Sequence, residues 1–290
     1  MDIEIKENLE ETQKRYDITH QHYIESMQNF AEFMTKIIKN AIKKEEYPRY
    51  LYRYRKMDDL KEIISDNKLH FSSPANFTDP YDSKLKVKIE VLSEEIRATL
   101  NKLNFKNRTE EEIESDTKKI ADDPLGFAET LTKIMKRDIN ETRICCFSRT
   151  WKNLQMWDLY SEGHKGAVLK FDILKDPYFF AIPIIMRYSN KFPVIEFGKE
   201  TTGSYINTKH KNYSFEEEIR VIKIFAFVDN MSHYEFKKDA LVSVVFGSQS
   251  DDLKSKSIVE LAKAQGYPNL HFRKAKLMEN EYGLDIENYV

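Results

Sequence analysis

Residues 50–82 read YLYRYRKMDDLKEIISDNKLHFSSPANFTDPYD, and the pattern of the chain changes three times inside that span. Leu51 to Tyr54 alternates as a strand does, with Arg53 and Arg55 two residues apart and so on one side of a sheet. Met57 to Asn67 carries Leu60, Ile63 and Ile64 at helical spacing, and Asp58 is a plausible cap. Lys68 to Ser72 returns to a strand, after which Pro74, Asn76, Asp79 and Pro80 force an irregular loop. Two guanidinium forks on one side of a strand can each grip a carboxylate or phosphate through paired hydrogen bonds. Ser72 and Ser73, at the end of the second strand, add short hydroxyl donors. Together they predict an anion-holding cleft.

Composition bounds what that cleft can belong to. The chain has 290 residues, 41% hydrophobic and 32% charged, with only 8 glycines and 8 prolines, enough for a large packed core and little room for low complexity. A formal net charge of -2 gives no global attraction to nucleic acid or membrane, so any such partner must be argued from a local patch. The start MDIEIKENLE is acidic and lacks an apolar core; neither a secretory signal nor a transit peptide is expected, and the protein is expected to be cytoplasmic with no membrane partner. Cys145 and Cys146 are adjacent, which suits reduced core thiols better than a disulfide or a zinc site. Among the histidines only His20 and His22 approach metal-ligand spacing.

Outward from the central stretch, residues 7 to 45 contain no Pro or Gly. Tyr16, Tyr23, Met27, Phe30, Met34, Ile37 and Ala41 form one helical stripe, which predicts a helix docked on its own domain or engaging a partner. Lys84 to Val91 alternates as a strand. Ser93 to Asn140 has helix-like spacing and a glutamate excess, read as a helical insertion that is a lid or, more in keeping with its charge, a solvated outer layer. Further strands are predicted at Thr142 to Ser148, Ala167 to Phe171, Ala181 to Tyr188, Tyr213 to Phe227, Leu241 to Phe246 and, to close, Asn269 to Ala275. Asn153 to Tyr160 and Ser250 to Gln265 read as helices. Met156, Trp157, Tyr160 and His164 read as core and turn.

Within YSFEEEIRVIKIFAF, Glu216, Glu218 and Arg220 share one face if the whole segment is a strand. Like charges on one face repel unless a cation answers them, and Arg220 is available; an exposed edge strand would look the same. Glycine fingerprints for dinucleotides and phosphates are absent, so a nucleotide would be held by side chains. Asp79 and Asp82, beside prolines and in a loop, have a plain role as turn caps.

The order of LYRYR, FSSPANFTDPYD, ICCFS with MWDLYSEGHKG, and YSFEEEIR resembles a bacterial family known as a domain of unknown function, with toxin and phage-defence contexts. More distantly it resembles the ADP-ribosyltransferase fold. The resemblance covers about Tyr50 to Leu277. It implies an α+β fold with a split β-sheet core within a domain spanning 47–290; the helical extension over 1–46 and most of the helical insertion at about 93–140, read from their own spacing, lie outside the resemblance. It also implies NAD as substrate with no metal, Arg53 or Arg55 on NAD phosphate or ribose, Ser72 and Ser73 beside them, and Tyr54 or Tyr81 on nicotinamide. Glu218 would be catalytic, with Glu216 positioning or deprotonating a macromolecular acceptor, RNA, DNA or protein. An antitoxin or other protein could dock on the first helix.

Two other classes fit the same residues. Asp79, Asp82, Glu216 and Glu218 could gather a divalent ion for a nuclease, and the cleft could bind a nucleotide signal without turnover. Lys209, His210, Lys211 and Tyr213 hint at a nucleic-acid surface.

Overall fold

The computed structural model describes residues 32–88, 93–102, 109–181, 183–196, 206–223 and 231–290. Residues 32–43 form helix α1. Strand β1 (Tyr50–Arg55), helix α2 (Met57–Asp66), β2 (Lys68–His70) and β3 (Lys86–Lys88) follow. Three helices come next, α3 (Ser93–Lys102), α4 (Glu110–Asp122) and α5 (Pro124–Glu141), then β4 (Arg143–Ser148), α6 (Leu154–Tyr160) and β5 (Ala167–Asp172). Short strands β6 (Pro183–Ile185), β7 (Arg187–Ser189), β8 (Val194–Glu196) and β9 (Thr208–His210) lead to β10 (Glu218–Lys223) and β11 (His233–Glu235). The chain finishes with β12 (Leu241–Phe246), α7 (Asp252–Ala264), β13 (His271–Leu277) and β14 (Leu284–Asn288).

Eight strands make one mixed sheet in the order β14-β13-β12-β5-β1-β4-β10-β6. Only β12 and β13 in it run parallel. One face is apolar: Leu51, Phe171 and Leu241 stand opposite one another across three strands, and with Phe147, Ile219 and Phe246 they pack under α2 and α7. The other face carries Tyr54, Val168 and Val245 under Trp157 of α6. In β5, AVLKFD, the positions Ala167, Leu169 and Phe171 face the apolar core, while the other face is apolar only at Val168 and carries Lys170 and Asp172 beyond it.

The sheet is split between β1 and β4. Those strands pair only at Tyr52 and Ser148, although β1 pairs with β5 along its whole length. Farther along, the edge of β4 is taken by Ser72, which forms a bridge with Ile144. The gap between these two attachments is where the candidate site opens.

Several expectations shift. Helix α2 is capped amino-terminally by Lys56 without a side-chain bond, so Asp58 lies inside the first turn; at the other end Asn67 adopts the left-handed conformation favoured there. In α1 the buried position is Ile38, 2% exposed, while Ile37 of the predicted stripe is 44% exposed; Tyr16, Tyr23, Met27 and Phe30 lie outside the described residues. The closing strand is β14, not β13. Helices α3 to α5 have their own small core around Ile96, Ile113 and Ile120, and none of their residues lines the candidate site. They form an outer layer that buttresses the loop after Ser73, whose hydroxyl donates to the Asn140 carbonyl at 2.6 Å. Among the described residues no helix is long and apolar enough to cross a membrane.

Candidate active site

A cavity of about 320 Å³ opens at the split. Arg53 and Arg55 line it from β1, Ser72 and Asp79 from the loop after β2, Cys146 and Ser148 from β4, Glu216 from the turn before β10 and Glu218 from its first position. Tyr52, Ser148 and Glu218 are in register across β1, β4 and β10, so Arg53 and Glu218 start from backbones about 10 Å apart, two strand spacings.

Arg53 fills the gap that β1 leaves beside β4. Its guanidinium donates to the carbonyls of Cys146 and His70, while its Nε is buried with no partner. Arg53 therefore does for β4 what a neighbouring strand would have done, and it does so as a buried cation with no carboxylate within ion-pair distance among the described residues. The Arg55 side chain, half-buried on the same side, makes no hydrogen bond or ion pair among the described residues. Two cations without counter-ions in one cavity make an environment suited to an anionic ligand.

The opposite wall is a closed ionic network. Glu218 Oε1 accepts from Arg220 Nε at 2.7 Å and its Oε2 from Lys209 Nζ at 3.1 Å. Glu216 Oε2 accepts from the same Lys209 Nζ at 2.6 Å, and its Oε1 accepts from the Tyr160 hydroxyl at 2.6 Å. Arg220 also donates to Asp82 at 2.6 Å, to Ser83 at 2.9 Å and to the Ile206 carbonyl at 2.9 Å. Tyr188 accepts the Glu218 amide at 2.7 Å. Strand β9 brings Lys209 here, held in register with Tyr188 of β7.

Glu216 and Glu218 are not two positions of one strand. Lys211–Glu216 is a 3-10 turn, Glu217 is left-handed at φ 43, and the strand starts at Glu218. That kink turns both carboxylates onto one ammonium. Nor is the strand an exposed edge: β10 lies between β4 and β6, and Glu216, Glu218 and Arg220 are all buried.

The two carboxyls are driven apart electrostatically. For Glu218, burial favours the neutral acid, but Arg220 and Lys209 outweigh it and hold the group well below the usual carboxylate range. For Glu216, burial wins over Lys209, with Glu218 adding repulsion, and the group is raised. Burial also pushes Tyr188 up to about 12, Cys145 up to about 11 and Cys146 well above its ordinary value, so both thiols stay protonated at neutral pH and poorly suited to redox work.

No protein-family model, curated protein or solved structure matches this chain. Its chemistry has to be read from the cavity itself.

Arg53, Arg55, Ser72, Tyr54, Glu216 and Glu218 of the sequence-derived set all line the cavity. Ser73 does not: its hydroxyl accepts from Ala75 and donates to Asn140, closing the Pro74–Asn76 turn. Tyr81 does not either; it is 68% exposed, packs edge-on against Phe192 and lines a neighbouring hollow. Tyr54 is largely committed to the core, its ring on Trp157 and its hydroxyl on the Thr150 carbonyl. Asp79 caps Tyr81 as expected of a turn, whereas Asp82 is an ion-pair partner of Arg220.

Lys209 Nζ stands 3.7, 2.6 and 3.1 Å from Asp82, Glu216 and Glu218, the central position a divalent ion would need, and no cluster arranged to hold a metal occurs among the described residues. Lys209, read from the sequence as part of a nucleic-acid surface, and Tyr160, read as core, instead hold the two glutamates. Two buried glutamates beside a single arginine were the available signal that a second cation had to come from elsewhere in the chain.

Proposed function

We propose that this cavity binds NAD and that the protein is an ADP-ribosyltransferase acting on a macromolecule, of the toxin or phage-defence type. The observation that carries the reading is the split itself: an open seam with two uncompensated arginines on one side and two electrostatically distinct glutamates on the other. NAD phosphates would take Arg53 and Arg55, and Ser72 would add a donor to phosphate or ribose.

The chemistry follows from the two carboxyls. When the bond from ribose C1′ to the nicotinamide nitrogen breaks, the electron pair leaves with nicotinamide, which becomes neutral, and positive charge develops on the sugar. Glu218, kept ionised by Arg220 and Lys209, is suited to offset that charge and hold a ribose hydroxyl. The acceptor then bonds to C1′ and gives up a proton, for which Glu216, with its raised affinity for protons, is suited.

Glu218→Gln is expected to lower NAD turnover by about two to four powers of ten while leaving NAD binding within a few-fold of the parent. The check is nicotinamide release from labelled NAD, in a whole-cell extract and in buffer, beside a calorimetric binding curve. Unchanged turnover would overturn the assignment of Glu218. Binding with no turnover on any acceptor would favour a nucleotide-sensing module, and turnover of nucleic acid that requires added divalent metal would favour a nuclease.

A further inference from the structure

A second concave surface gathers cations where the candidate active site does not reach. Tyr52 of β1, Lys170 of β5, Ser243 of β12 and His271 of β13 stand in register across four adjacent strands, so one row of side chains crosses the sheet on a single face. A cavity of about 320 Å³ opens over that row. Arg49, Lys170, Lys175 and Arg273 line it together with one carboxylate, Asp172, and Asp172 is buried and already accepts from Arg49 at 2.7 Å. Lys170, Lys175 and Arg273 are thus left without an ion pair among the described residues.

Aromatic rings are interleaved with these cations. Lys170 Nζ sits 3.9 Å from the Tyr50 ring centre and Arg49 5.4 Å from it, and Trp151 and Tyr52 are partly exposed at the rim. Ser243, only 5% exposed, presents a hydroxyl with no partner at the floor of the cavity. Burying a hydroxyl unpaired is costly, and a ligand atom bonding to it would remove that cost. Burial and the nearby Arg273 also lower the Lys170 ammonium from its ordinary value, a strain that a bound anion relieves.

We propose that this groove holds single-stranded nucleic acid and that the strand is the acceptor of the transferase, the second half resting on the reading of the cavity above. The row spans three strand spacings, about 14 Å, a length that suits a chain better than a lone phosphate. Phosphates take the cations and bases stack on the ring faces without regard to sequence. An acidic peptide would use the cations and leave the rings bare. Tyr52 lines both cavities, so a strand laid along the row is led to the split.

The full chain carrying Glu218→Gln, without NAD, is titrated into labelled oligouridylate and oligothymidylate and followed by fluorescence anisotropy. Three free cations predict a slope of log affinity against log salt of about -2. Arg273→Gln and Lys175→Gln should each lessen that slope by about 0.7, whereas Trp151→Ala should weaken binding about tenfold with the slope kept. Absence of binding, indifference to these variants, or equal competition by polyglutamate overturns the groove. Hydrolysis of NAD in buffer, on the chain with Glu218 intact, reports the active-site cavity alone. If NAD is consumed but no oligonucleotide binds, the groove fails; if oligonucleotides bind but NAD is never consumed, the transferase reading fails and the groove stands.

Discussion

Arg220 is 0% exposed and touches Glu218, Asp82, Ser83 and the Ile206 carbonyl, so every group around it is arranged for a positive charge. A guanidinium suits this position because its planar fork gives donors in fixed directions, which a lysine ammonium cannot. Burial alone would favour its neutral form, but Glu218 and the other anions more than reverse that. Arg220→Met removes the cation and leaves Glu218 and Asp82 buried beside Lys209 alone. Breaking a buried pair from one side costs about 3–5 kcal/mol, and urea unfolding should register a loss of that size. A loss under 1 kcal/mol would mean that water already reaches the network. Arg220 was legible beforehand as the cation for Glu218, since like charges in series demand one. Its bond to Asp82 was not, because 138 positions separate the two and no local pattern encodes a contact of that span.

Elements whose pattern is local were legible; those defined by a partner were not. Strands β4, β5 and β12 and helices α2, α6 and α7 fall within about two residues of their expected limits, since alternation and helical spacing are written in the chain itself. Strand β14 was missed because LDIEN carries little β-propensity, and it exists by pairing with β13. Taking Glu216 into a strand failed for a related reason: Lys211–Glu216 is a 3-10 turn closed by left-handed Glu217, and glutamate does not advertise that conformation as glycine does. Glu217 itself is exposed and points no carboxylate into the cavity. Glu217→Gly should therefore stabilise the fold by up to about 1 kcal/mol and leave NAD turnover within twofold, as measured by thermal unfolding and nicotinamide release. Glu217→Val, branched at the β-carbon, should destabilise by at least as much and loosen the placement of both flanking glutamates.

At the scale of the whole molecule, the sheet is two blocks, β14-β13-β12-β5-β1 and β4-β10-β6, joined through one residue pair and the Arg53 guanidinium, with Ser72 taking the rest of the β4 edge. The proposed nucleotide site lies on that junction, with cations from the first block and carboxylates from the second. A ligand that spans it ties the blocks together, and its binding free energy adds to stability: about 2.7 kcal/mol at a hundred times the dissociation constant. Arg53→Met separates the two roles of this side chain. As a brace, its loss leaves the Cys146 and His70 carbonyls to water in an open cavity, at a cost of about 1–3 kcal/mol without ligand. As a ligand contact, its loss should in addition abolish most of the rise in melting temperature that NAD gives the parent chain. If the variant melts lower but gains the same increment from NAD, Arg53 only closes the seam, and phosphate recognition falls to Arg55, whose own Arg55→Met variant would then lose the increment while keeping the parent's stability in buffer.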